Sequence, residues 1–94
     1  MPYAEAALNA ACRAITTAPA GEQERTVNAE VFSIATLAGA GGIPIDLARR
    51  VLHWAASQMP NYDPRRPWRS AELARKVDRA FDDGLRHPRQ ARRA

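Results

Sequence analysis

Three features of the chain predict an all-α fold, a small bundle of four main helices. Residues 31–45 contain no charged side chain, and Val27, Val31, Ile34, Ala35 and Ala38 share one stripe of a helix at 100° per residue. Three further segments, beginning near residues 3, 44 and 71, repeat the helical period. Between the helical segments lie breaks built on proline and glycine. Phe32 and Leu37 flank the first stripe on opposite sides, so its apolar arc is wider than a surface helix needs. The segment 22–39 is therefore the expected central helix, with neighbours on several sides.

The first helix is expected over 3–17, with Ala4, Leu8, Ala11, Cys12 and Ile15 on one face. Ala18-Pro19-Ala20-Gly21 is a loop, and Glu22 and Glu24 suit the positive end of the second helix dipole. Within that helix Asn28 falls between Phe32 and Ala35. As a half-buried amide it needs partners, and it is expected to tie the helix to a neighbouring segment. Gly39, Gly41 and Gly42 end the helix, since glycine suits the left-handed geometry past a helix C-terminus. Pro44 marks the first turn of a third helix whose buried stripe is Ala48, Val51, Leu52, Ala55 and Met59. Arg49, Arg50, His53 and Ser57 point away from that stripe, so His53 is expected in solvent and Trp54 at the core boundary. Three prolines in 59–69 exclude a helix there, and Tyr62 and Trp68 predict a loop that packs back on the bundle. Ser70 then caps a fourth helix over 71–83, with Leu73, Ala74, Val77, Ala80 and Phe81 inward. Gly84 is expected in a left-handed cap with Leu85 folding back on the last turn. Glu72 with Lys76 and Arg79 with Asp83 form i,i+4 pairs on the outer face. Residues 1–87 then make one bundle domain and 88–94 a basic, mobile tail.

A chain of 94 residues with 46% apolar content, much of it alanine, has a thin core and modest stability. Its single cysteine, Cys12, gives no disulfide and no metal framework, and reads as a small buried hydrophobe. The charge-free run is too short and too broken by glycine to span a bilayer. No basic segment followed by an apolar one opens the sequence, so a cytoplasmic location is expected. No glycine-rich phosphate loop, nucleophile elbow or zinc ligand set occurs. Asp82 and Asp83 diverge by about 100° on a helix and cannot share a metal. Catalytic residues, metal and cofactor are all expected to be absent, and a stand-alone enzyme with them.

The formal charge of +4 is unevenly distributed. Residues 1–64 carry four basic and six acidic side chains, and residues 65–94 carry ten basic and four acidic. The surplus flanks the fourth helix: Arg65, Arg66 and Arg69 precede it, and Arg86, Arg89, Arg92 and Arg93 follow it. Roughly 20 Å of helix separates the two clusters. They could hold separate phosphates of one DNA strand or duplex, with Trp68 as a stacking surface beside the first cluster.

Ala18-Pro19-Ala20-Gly21, Thr26-Val27-Asn28, Phe32 and a small-residue run ending in Gly41-Gly42-Ile43 resemble a known pattern. It is that of the C-terminal helical region of primase-type replication proteins of bacterial mobile elements and prophages. Tyr62-Asp63-Pro64-Arg65-Arg66-Pro67-Trp68 and Asp83-Gly84-Leu85-Arg86-His87-Pro88-Arg89 are similar to the end of alphaproteobacterial members that carry a Toprim-type primase domain. The resemblance spans about residues 5–89. Many of these relatives have Arg-Asn where this chain has Gln23-Glu24, which leaves Arg25 as the only basic residue of that turn. The resemblance implies the tail domain of a DNA primase, with the polymerising centre and its metal-binding carboxylates elsewhere. The expected function is non-catalytic nucleic-acid binding or template positioning. The alternative is a protein-docking module that joins a primase to a helicase or another replication factor, with Trp54, Tyr62 and Trp68 as interface anchors.

Overall fold

The computed structural model describes residues 2–62, 65 and 70–90. Four helices follow in order, α1 (Pro2–Thr16), α2 (Gln23–Gly39), α3 (Ile45–Ser57) and α4 (Ser70–Leu85), and no strand occurs among the described residues. The chain is thus the small all-α bundle that its apolar periods predict. The inner pair, α2 and α3, touch each other and both outer helices, whereas α1 and α4 do not meet. Phe81, Ile15, Leu52, Val27, Val31 and Val77 are the largest fully buried side chains, and alanines from all four helices fill the space between them. Small side chains let the helix backbones approach, so a core poor in large residues still closes. No helix among the described residues is long and apolar enough to cross a membrane.

The α2–α3 turn shows how glycine sets the topology. Gly41 has φ of +85°, its N–H donates to Ala38 O, and the Gly42 N–H reaches back to Leu37 O at 3.0 Å. This is the Schellman pattern, one turn of chain before Pro44 opens α3 from its N-cap position, just outside the helix.

Gly84 departs from expectation. It lies within α4, is buried, and does not have a positive φ. A β-carbon placed on it would stand 2.5 Å from Ala35 Cβ and 2.6 Å from the Phe32 carbonyl oxygen of α2. Its lack of a side chain serves the α2–α4 crossing, not a helix end, and α4 runs on to Leu85.

Asn28 also departs from expectation, because its side chain is exposed. The buried amide is Gln23, 8% exposed, whose Nε2 donates to Pro60 O at 2.7 Å. That bond ties the start of α2 to the segment after α3. Phe32 leaves the core for the surface at 37% exposure, whereas Leu37 on the other flank is buried. The central helix is covered on one side and open on the other.

Candidate nucleic-acid interface

Of the expected nucleic-acid contacts, Arg65, Arg86 and Arg89 fall among the described residues. Arg66, Trp68 and Arg69 lie outside the described residues, as do Arg92 and Arg93. Arg65 is exposed. Arg86 is also exposed, and its Nη1 is 3.1 Å from Asp83 Oδ1. Arg89 is committed to the fold. Its N–H donates to Thr36 O at 2.8 Å, and its guanidinium donates to Tyr3 Oη at 2.9 Å and to Ser33 O and Oγ at 3.1 and 3.2 Å. Three donors spent on α1 and α2 leave this arginine no planar fork for a phosphate. The same bonds hold the chain against the bundle as far as Arg89, past the point where the mobile tail is expected to begin.

On the α3 side, α4 is closed by an ion network. Arg49 bridges Asp78 at 3.0 Å and Asp82 at 2.8 Å, with its guanidinium carbon 4.5 Å from the centre of the Phe81 ring. His53 Nε2 meets the same Asp78 oxygen at 2.8 Å. His53 is therefore a partner of α4 and not a solvated surface residue. The hydrogen bond to Asp82 raises the Arg49 pKa above its ordinary value, with Asp78 adding to it against some loss of solvation. Partial burial opposes ionisation of Asp78, but hydrogen bonds from His53 and Arg49 and their charges outweigh it and lower its pKa. Trp54, expected at the core boundary, is 58% exposed one residue further along α3. Cys12 is partly buried, and loss of solvation raises its pKa, which disfavours a reactive thiolate.

The outward side of α4 differs. At about 100° per residue, Arg75 and Arg79 lie about 40° apart on α4, opposite the buried Val77, and Arg86 follows the last residue of the helix. Arg75 and Arg79 are about 6 Å apart along the axis at 1.5 Å per residue. Arg75 and Arg79 are exposed, and neither forms an ion pair with a described residue. The i,i+4 pairs expected here are replaced by others: Lys76 crosses to Glu24 on α2 at 2.7 Å, and Asp83 takes Arg86. Arg25 takes Glu22 at 3.1 Å. The carboxylates of Glu22, Glu24 and Asp83 thus each have a cation, and among the described residues Arg75 and Arg79 are left with only the unpaired Glu72 beside them. The sequence held a signal for this. An arginine placed four residues before an aspartate is the weaker order for an i,i+4 pair on a helix, so Arg79 was a poor match for Asp83.

Between α2 and this stripe runs an open groove. Arg25, Asn28 and Phe32 line its α2 wall, and Arg79, Ala80 and Asp83 line its α4 wall. The ring of His87 closes one side of Phe32 at 5.9 Å between centroids, held by its Nδ1–H to Asp83 O at 2.9 Å. Arginine forks, an exposed amide and one half-exposed ring can bind a polyanion that also carries flat bases. No protein-family model, characterised protein or solved structure matches the chain.

Proposed function

We propose that this chain is a non-catalytic nucleic-acid-binding domain that positions a template strand for a cytoplasmic, DNA primase-like replication protein. The observation that carries this reading is the exposed arginine stripe on α4, in which Arg75 and Arg79 have no acidic partner among the described residues. The ten basic against four acidic residues of 65–94 favour the same partner. The resemblance of residues 5–89 to primase tail regions supports the replication context. Synthesis itself would belong to a separate polymerising centre, reached through the upstream primase domain or a helicase as protein partners.

The test is a fluorescence-anisotropy titration of a labelled single strand at several salt concentrations. Phosphate-driven binding weakens steeply with salt, and each contact removed reduces the slope by about 0.7 for a single strand. The double variant Arg75→Gln/Arg79→Gln should bind weakly at every base sequence and show the shallower slope. Binding that is unchanged in this variant, or no saturable binding at low salt, refutes the proposal. The docking alternative draws support from Trp54 and Tyr62, which are 58% and 49% exposed. Docking through such aromatic anchors would be nearly insensitive to salt.

A further inference from the structure

Resting on the nucleic-acid reading, we infer that the α2–α4 groove seats an unpaired base, so that the domain takes single-stranded nucleic acid in preference to duplex. Arg25, Asn28 and Phe32 follow one another at i, i+3 and i+7, a single face of α2. Phe32 is 37% exposed although it sits on the helix at the centre of the bundle. A large ring left half in water on such a helix is a hydrophobic surface without a cover, and here one side of it is already backed by His87. Phe32 also lines the groove. A base stacked there gains contact without sequence preference, because every base has a flat face.

Asn28 stands one turn before Phe32 with an exposed amide that bonds no described residue. It offers both donors and an acceptor at the height where the edge of a stacked base would lie. Arg79 forms the opposite wall and has no carboxylate partner, so it can meet the phosphate next to that base. A paired base in a duplex presents neither a free face nor its pairing edge, which is the physical origin of the preference. A protein partner fits less well. The apolar part of the groove is one ring and two alanines, Ala29 and Ala80, among charged neighbours, too little for the apolar centre of a protein interface.

The test compares two labelled oligomers of equal length: a thymidine homopolymer, and an abasic strand with the same phosphates and no bases. Phe32→Leu keeps an apolar side chain at a half-exposed position, and its folding is checked by its melting curve. The wild-type chain should bind the thymidine strand about five-fold or more tightly than the abasic strand. Phe32→Leu should remove most of that difference and leave abasic binding unchanged, and Asn28→Ala should alter the relative affinity for different homopolymers. Photocrosslinking of a 5-iodouracil strand to the wild-type chain should map to the segment around Phe32, a readout that does not depend on any variant folding. Equal affinity for the two strands, equal loss on both in Phe32→Leu, or crosslinks only elsewhere would overturn the base seat. If Arg75→Gln/Arg79→Gln still weakened both strands, the nucleic-acid reading would stand without it. No saturable binding of either strand would overturn both.

Discussion

Replacing Gly84 by alanine should destabilise the bundle, although alanine is the better helix former. The added methyl would stand 2.5 Å from Ala35 Cβ, 2.6 Å from Phe32 O and 3.4 Å from Ala35 Cα. Two of these three atoms belong to the α2 backbone, so no rotamer change can clear them. Relief requires α4 to move off α2, along the most extensive helix pair of the fold. Overpacking of this kind costs about 1–3 kcal/mol. The gain in helix propensity is about 1 kcal/mol in a helix interior, and less here because Gly84 is the penultimate residue of α4. The net expectation is a loss of about 1–2 kcal/mol, or roughly 4–15 °C in melting temperature for a domain of this size. Thermal and urea denaturation of the purified chain measure it. Adding Ala35→Gly removes the closest contact but not the one to the Phe32 carbonyl, so the double variant should recover only part of the loss. A Gly84→Ala chain as stable as wild type, or more stable, would refute close approach as the role of this glycine.

Four further outcomes follow from the same geometry. Arg89→Ala should lose about 1–2 kcal/mol of stability through its bonds to Tyr3 and Ser33, whereas Arg86→Ala, at an exposed i,i+3 pair, should change stability by less than about 0.5 kcal/mol; parallel urea melts compare them. Gln23→Ala should cost about 1 kcal/mol by breaking the bond to Pro60 O, and Asn28→Ala, whose amide is exposed, should leave the melting temperature nearly unchanged. Asp78 has its pKa lowered in the fold, so its pairing contributes stability that is present above the unfolded carboxyl value of about 3.9 and is lost as pH falls through the lower folded value; melting curves between pH 2 and 6 should show a smaller acid loss in Asp78→Asn, and an identical profile would count against the network. Incubation of the chain with template and nucleotides should yield no primer, and template-dependent incorporation would contradict a purely binding role.

The helices were legible because their signals are local. The stripe of Val27, Val31, Ile34 and Ala38 and the triple glycine at 39–42 act within one or two turns of chain, where helical period and left-handed geometry leave little choice. What escaped depends on which neighbour covers which side. A helical angle places Asn28 and Phe32 on one flank of α2, but it cannot say that this flank remains open. Gln23 gave no periodic signal, since its acceptor Pro60 is 37 residues away. Arg49 and His53 sit off the apolar stripe of α3 and look solvated until Asp78 and Asp82 arrive from 25 to 33 residues later. Glycine near a helix end has two uses, a left-handed cap and close approach to another backbone; only the crossing with α2 selects the second for Gly84. Charge clustering marks residues 65–94 as the basic part of the chain, yet Arg89 within it is a clasp to α1 and α2.

The distribution of partners around α4 bears most directly on what the domain can bind. One side is buried through Val77, Phe81 and Gly84, with Gly84 against α2. The next is pinned to α3 by four charged or titratable groups that satisfy one another. Those ion pairs are partly exposed and individually weak, but they consume every carboxylate that α4 presents toward α3. Lys76 and Arg86 neutralise the carboxylates on the α2 side. Among the described residues, only Glu72 remains near the arginine stripe without an ion pair, and it lines the same cavity as Arg75 and Arg79. The unpaired positive charge of the helix is therefore concentrated on its uncovered side, although its three basic and four acidic residues leave the helix as a whole slightly negative. Such a side attracts a polyanion at long range and offers guanidinium forks on contact. If the stripe existed only for solubility, exchanging Arg75 and Arg79 for lysine would leave nucleic-acid binding unchanged. If the forks engage phosphate oxygens in pairs, the same exchange keeps the charge and the salt slope but weakens binding several-fold, which anisotropy titrations of the lysine variant would detect.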